Sequence, residues 1–87
     1  MSWVVYVLRC RTGELYTGAT TDVERRVSEH NSGTGGKFTR SRLPVTLVYK
    51  EELRTKSAAL KRENAIKAMT RREKLRLVGH EALAATA

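Results

Sequence analysis

Two tyrosines, an arginine and a lone glutamate are the residues of this chain whose types and spacing could do chemistry. Tyr6 and Tyr16 sit in short apolar segments, Arg26 follows Tyr16 by ten positions, and Glu63 is the only acid between Glu52 and Glu73. Phenols beside a guanidinium suit the handling of a phosphate. Hydrolysis of a phosphodiester needs a water stripped of a proton, and stabilisation of the charge that builds on the phosphate oxygens. A planar guanidinium grips two such oxygens better than an ammonium does. A phenol has a reference pKa of about 10, so it serves as a base only if a nearby cation lowers the cost of ionising it. Tyr6 and Tyr16 therefore read either as base and orienter, with Tyr6 favoured as the base, or as two orienters of the attacking water. Glu63 stands among Lys61, Arg62 and Lys67, where an isolated carboxylate ordinarily forms an ion pair.

The elements that must position these groups follow from the apolar pattern. Residues 3–8 and 15–20 are rich in β-branched and aromatic residues and read as strands, joined by a polar connection containing Gly13. Alternation along the first strand puts Val5 and Val7 on the face opposite Tyr6. A first helix should begin at Thr21 or Asp22, where Thr21 and Glu24 have capping-box spacing. On that helix Val23 and Val27 share a face, and Arg26 shares a stripe with His30. Its neighbour Arg25 points about 100° away, so Arg26 is the arginine expected to face the site. Residues 44–49 read as a third strand, with Pro44 tolerated at its start. A second helix is expected over 56–68 and a third from the Thr70/Glu73 capping box to about Val78. The fold class is thus α/β: a small three-stranded antiparallel sheet flanked by about three helices, in one domain over residues 1–80 with a frayed tail over 81–87. The expected core is Trp3, Val5, Val7, Leu15, Val23, Val27, Leu47, Leu60, Ile66, Met69, Leu75 and Val78.

Charge points to a polyanionic partner. Seventeen lysines and arginines against nine acids give +8 over 87 residues, a balance suited to nucleic acid, with a ribosomal or membrane-surface role as the alternative. The glycine- and serine-containing connection over 32–41 is expected to be a loop. With Lys37, Phe38, Thr39 and Arg40, followed by Arg42, it could lay cations and hydroxyls along a phosphate backbone and offer a ring to a base. Phe38 could equally tuck into the core. The single cysteine, Cys10, excludes an internal disulfide, and there is no Cys/His cluster for structural zinc. No apolar run is long enough to span a bilayer and no secretory signal is present, so the expectation is a cytoplasmic protein without membrane attachment.

Val4-Val5-Tyr6, Tyr16-Thr17-Gly18, Arg26 near the first helix start and Ala59-Leu60-Lys61-Arg62-Glu63 together resemble the GIY-YIG nuclease family, in its small stand-alone bacterial branch. The segment Lys37-Phe38-Thr39-Arg40-Ser41-Arg42-Leu43-Pro44 is typical of that branch. Resemblance runs over residues 3–78, and the order and spacing of the motifs carry it. It implies an endonuclease that hydrolyses DNA phosphodiester bonds with low sequence specificity, in DNA repair or recombination. It also implies catalytic roles for Tyr6, Tyr16, Arg26, His30 and Glu63. Glu63 would bind one divalent cation, Mg²⁺ or Mn²⁺, which accepts a single carboxylate with water and substrate oxygens. Lys67 joins Lys37, Phe38, Thr39, Arg40 and Arg42 as an expected nucleic-acid contact, with DNA favoured over RNA. His30 reads as an acid/base group or phosphate contact, or as a plain surface histidine. The chain departs from the family pattern at Val4 and Val5, which replace glycine and isoleucine, at Thr17, and at Ala19, where several relatives carry a lysine. Gly18 is expected to permit close backbone approach. The rival reading from a different class is a DNA- or RNA-binding module with weak or no catalysis.

Overall fold

The structure, a computed structural model, describes the backbone of residues 2–86 and the side chains of residues 2–79. In chain order it runs β1 (Trp3–Cys10), β2 (Leu15–Thr20), α1 (Val23–Asn31), α2 (Lys37–Arg40), β3 (Val45–Leu53), α3 (Lys56–Lys67) and α4 (Arg71–Thr86). The strands form one antiparallel sheet in the order β2-β1-β3. This is the expected three-stranded sheet, with four helices rather than three. The fraying expected over 81–87 falls outside the residues whose side chains are described.

β1 is central and every residue from Val4 to Leu8 is buried, because helices cover both of its faces. On one face Val5 and Val7 pack with Ala59 and Ile66 of α3, joined by Met69, Leu77 and Val78. On the other face Tyr6, Leu8 and Cys10 pack with Val45, Val23 and Val27. The result is three layers, α3/α4, sheet, and α1/α2. Tyr6 lies on the face opposite Val5 and Val7, as strand alternation requires.

Four local expectations need correction. Asp22, not Thr21, caps α1: its carboxylate accepts from the Arg25 amide at 3.1 Å, while the Thr20 hydroxyl accepts from the Asp22 amide at 3.2 Å. A carboxylate at the N-cap also faces the positive end of the helix dipole, which a hydroxyl exploits less. The Thr70/Glu73 box does form, with reciprocal bonds of 3.1 and 3.2 Å. Leu60 and Leu75, expected in the core, are 42% and 46% exposed. The 32–41 connection contains the short helix α2, which seats Thr39 in the interior. β3 runs four residues beyond Tyr49 to Leu53, and its Glu51 is accommodated by Arg62 at 3.1 Å and by the Tyr49 hydroxyl at 2.6 Å.

Candidate active site

Tyr6 pairs across the ladder with Gly18, and its ring lies directly over that residue. A β-carbon at Gly18 would stand 2.5 Å from the Tyr6 hydroxyl oxygen, so only glycine lets the phenol cross β2. This is the close approach that the sequence led us to expect.

The hydroxyl that Gly18 admits meets His30. Tyr6 Oη and His30 Nε2 are 3.2 Å apart, and His30 Nδ1 is 2.8 Å from Thr39 Oγ1. Thr39 Oγ1 is also placed to donate to the Gly36 carbonyl at 3.5 Å. That direction leaves the threonine lone pairs to accept from His30 Nδ1–H, and leaves Nε2 to accept from the phenol. Both His30 and Thr39 are fully buried. Burial, reinforced by the Arg26 charge and opposed by Glu29, holds the imidazole below its ordinary pKa, so it is neutral near pH 7. His30 is therefore not a surface histidine. Thr39 is not placed to touch a nucleic-acid backbone, because α2 turns its hydroxyl inward to the ring.

Arg26 comes from the same stripe of α1. Its Nη2 donates to the Gly35 carbonyl at 2.8 Å and its Nη1 to Glu29 Oε1 at 3.2 Å. Arg25 points outward, with its side chain 76% exposed and paired with Glu29. Gly35 is as constrained as Gly18: a β-carbon there would stand 2.5 Å from His30 Nδ1. One backbone segment thus fits against His30 and holds Arg26. Sequence reasoning missed Gly35, though the run Gly33-Thr34-Gly35-Gly36 is the signal that could have found it.

Tyr6 is 1% exposed, and burial, followed by the neighbouring Tyr16, pushes its pKa up to about 12. The Arg26 guanidinium beside the hydroxyl pulls the other way, and the Glu63 carboxylate raises it further. Tyr16 is half-buried. Its ring lies 5.0 Å from the His30 ring, 6.4 Å from the Tyr6 ring and 6.0 Å from the Phe38 ring. Glu63 reaches this side from α3, with its side chain 14% exposed and Oε2 2.7 Å from Lys67 Nζ. The five expected catalytic residues, Tyr6, Tyr16, Arg26, His30 and Glu63, thus come to one place from four elements.

The basic residues differ in their freedom. Lys37 and Arg40 are exposed on α2, and Phe38 is 41% exposed beside them. Arg42 is committed within the protein: it pairs with Glu14, donates to the Phe38 carbonyl at 2.8 Å and lies 4.1 Å from the Phe38 ring centre. Among the described residues no three His, Cys, Asp or Glu side chains gather as a metal cluster. Glu63 Oε1 makes no hydrogen bond to a described residue, so it remains open to a cation. The Lys67 side of the pair is half exposed, and an i,i+4 helix pair is worth only about 0.3–0.5 kcal/mol, too little to withhold the carboxylate. A hard divalent cation that keeps most of its water fits this donor set; a four-ligand protein cage does not.

The molecule is thus a three-layer α/β domain with a buried phenol–imidazole pair beside an arginine and a glutamate. The model of the GIY-YIG catalytic domain matches residues 2–76, and this chain belongs to the GIY-YIG family, whose fold is a nuclease fold. It is similar to a UPF0213 protein of Natronomonas pharaonis, 56% identical over 77 residues that cover 88% of this chain and 91% of that protein. A UPF0213 protein of Staphylococcus saprophyticus is 50% identical over 74 residues, covering 85% and 90%. Among solved structures, a protein of E. faecalis is 44% identical with a TM-score of 0.64, covering 95% of this chain and 88% of that one. A UPF0213 protein of Bacillus halodurans, also 44% identical, has a TM-score of 0.59 over 91% and 84%.

Proposed function

We infer that this protein is a divalent-metal-dependent endonuclease that hydrolyses DNA phosphodiester bonds with little sequence preference, in DNA repair or recombination. The observation that carries the reading is the 3.2 Å contact between the Tyr6 hydroxyl and His30 Nε2, set beside Arg26, Tyr16 and Glu63. A lone phenol with its pKa pushed up to about 12 is a poor base at neutral pH. Joined to a neutral imidazole, it need never exist as a free phenolate. The Tyr6 oxygen accepts a proton from the attacking water while its own proton passes to Nε2, and Nδ1–H stays on Thr39. Tyr16 orients the water from the solvent side. Arg26, held by Glu29 and Gly35, presents its guanidinium to the non-bridging oxygens as charge builds there. Glu63 would hold the cation, Mg²⁺ or Mn²⁺, which supplies Lewis-acid stabilisation of the phosphate and the leaving oxygen. Lys37, Phe38, Arg40 and Lys67 contact the strand around the scissile bond. Arg42 acts there through Phe38.

The Glu63–Lys67 pair favours one rival, a nucleic-acid-binding module in which the carboxylate only orders a lysine. Cleavage of labelled single- and double-stranded DNA, with Mg²⁺, Mn²⁺ or EDTA, separates the two. Wild-type protein is expected to nick DNA only with metal, and Arg26→Ala and Glu63→Ala to fall at least 100-fold. Binding without cleavage under every condition would select the module, and equal cleavage by all three proteins would refute the assigned site.

A further inference from the structure

The open edge of the sheet carries a cleft that the scheme above engages only through Tyr16, Phe38 and Lys67. β2 is an edge strand, so consecutive residues that point to opposite faces can line one opening only there. Leu15, Tyr16 and Thr17 do so, with Phe38, Lys67 and Lys74 completing a cleft of about 250 Å³. That is below the roughly 300–1,000 Å³ of sites for drug-sized ligands, and it suits a single flat group.

Phe38 is the unusual member. It is 41% exposed, yet its ring is braced. The Arg42 guanidinium lies 4.1 Å from the ring centre, Arg42 is itself held by Glu14 and by the Phe38 carbonyl, and the Tyr16 ring stacks at 28° on the side of the site. With Arg42 over the ring and Tyr16 stacked beside it, the part of Phe38 left to a partner is its exposed rim, whose ordering cost is already met, which favours a flat group packed against it. The Leu15 side chain adds apolar surface, and Lys67, its ammonium on Glu63, and Lys74 complete the lining. Flat aromatic surface bordered by two cations matches a nucleobase with its phosphates. An acidic peptide would satisfy the lysines but not the ring.

We propose that this cleft binds one unpaired nucleotide adjacent to the phosphate being cut, its base against Phe38 and Leu15 and its phosphate at Lys67 and Lys74. The inference rests on the nucleic-acid reading above and deepens it by naming the substrate class. The preferred strand has a base free of its partner: single-stranded DNA, a flap or a bulge. A base still paired within a duplex is held in its stack by its neighbours and its partner, and must first leave the stack to enter the cleft. Tyr16 then serves both sides, orienting water with its hydroxyl and bordering the cleft with its ring.

Fluorescence anisotropy in EDTA reads binding without turnover. The probes are a labelled oligothymidylate, an oligonucleotide of the same length made of abasic residues, and a blunt duplex. Phe38→Ala is expected to weaken oligothymidylate binding by roughly 5-fold or more and to leave abasic binding within about 2-fold. Phe38→Tyr, which keeps the ring, is expected to restore the wild-type value. Lys74→Ala is expected to weaken both strands and to lower the salt slope by about one contact. Equal losses on both probes, no loss on either, tighter binding of the duplex, or equal competition by polyglutamate would each overturn the proposal. Circular dichroism on each variant excludes unfolding as the cause. Base-dependent binding in a protein that never cleaves would refute the endonuclease reading and leave the cleft standing. Cleavage by a protein whose binding ignores the base would do the reverse.

Discussion

At Gly18 a single methyl group decides where the Tyr6 phenol lies. Its β-carbon would stand 2.5 Å from the hydroxyl oxygen and 2.6 Å from Cζ, and the ring, 1% exposed, has nowhere to retreat. Gly18→Ala is expected to destabilise the fold by about 1–3 kcal/mol through overpacking and to lower cleavage at least 10-fold, measured by urea denaturation and nicking assays on the same preparation. The buried pair also sets a pH window. The His30 imidazole has a folded pKa below its ordinary value of 6.5, so the unfolded chain takes up its proton first. That contribution to stability is complete above about pH 6.5 and is lost as pH falls from there through the folded pKa. Tyr6 works in the opposite sense: the unfolded phenol ionises near 10 and the folded one only near 12, so stability declines as pH rises across that interval. The lowered carboxylates of Glu14 and Glu73 act only below about 4.5. The buried Cys10 thiol, pushed above its ordinary 9.0 by burial, adds to the loss on the alkaline side, so melting temperature is expected to be flat from about pH 7 to 8 and to fall on either side; a Tm unchanged from pH 7 to 5.5 would contradict the placement of His30. At this scale Arg26 was legible, because helical spacing places it and not Arg25 on the His30 stripe. Thr39 was not, because a segment rich in Lys, Arg and Ser reads as solvated, and its burial depends on an imidazole nine residues earlier.

Among the elements, α3 joins the support of the sheet to the site. Ile66 is fully buried against Val5 and Val7, whereas Leu60 on the same helix is 42% exposed. Ile66→Ala is expected to cost about 2–5 kcal/mol and Leu60→Ala less than about 0.5 kcal/mol, both from chemical denaturation; equal costs would mean that α3 is rotated from the position described. Apolar content alone placed both residues in the core, and only the direction in which the helix faces separates them. Strand identities were legible because β-branched residues and alternation agree over β1 and β2. The start of α1 was less so, since Thr20, Thr21 and Asp22 in succession offer rival caps and a carboxylate outcompetes a hydroxyl. The four-residue helix α2 lies below the length at which periodicity carries information.

For the whole molecule, a net charge of +8 overstates the charge available to a partner, because Arg25, Arg42 and Arg62 are committed to ion pairs within the protein. Lys37 and Arg40 are exposed cations on the Phe38 side. The double substitution Lys37→Ala with Arg40→Ala is expected to flatten the dependence of log K on log salt by about 1.4, two contacts at roughly 0.7 each for a single strand; an unchanged slope would remove α2 from the interface. No helix among the described residues is long and apolar enough to cross a membrane. The sheet's central strand has one more consequence. Alternate residues of β1 belong to two different layers, Val5 and Val7 to the one packed on α3 and Tyr6 to the one that holds the proposed site. Deleting one residue before Tyr6 would shift its register and exchange the two sets, sending the phenol into the layer of Ala59 and Ile66 and a valine to the place beside His30. The strand is thus expected to tolerate changes of residue within either set far better than a change in its length.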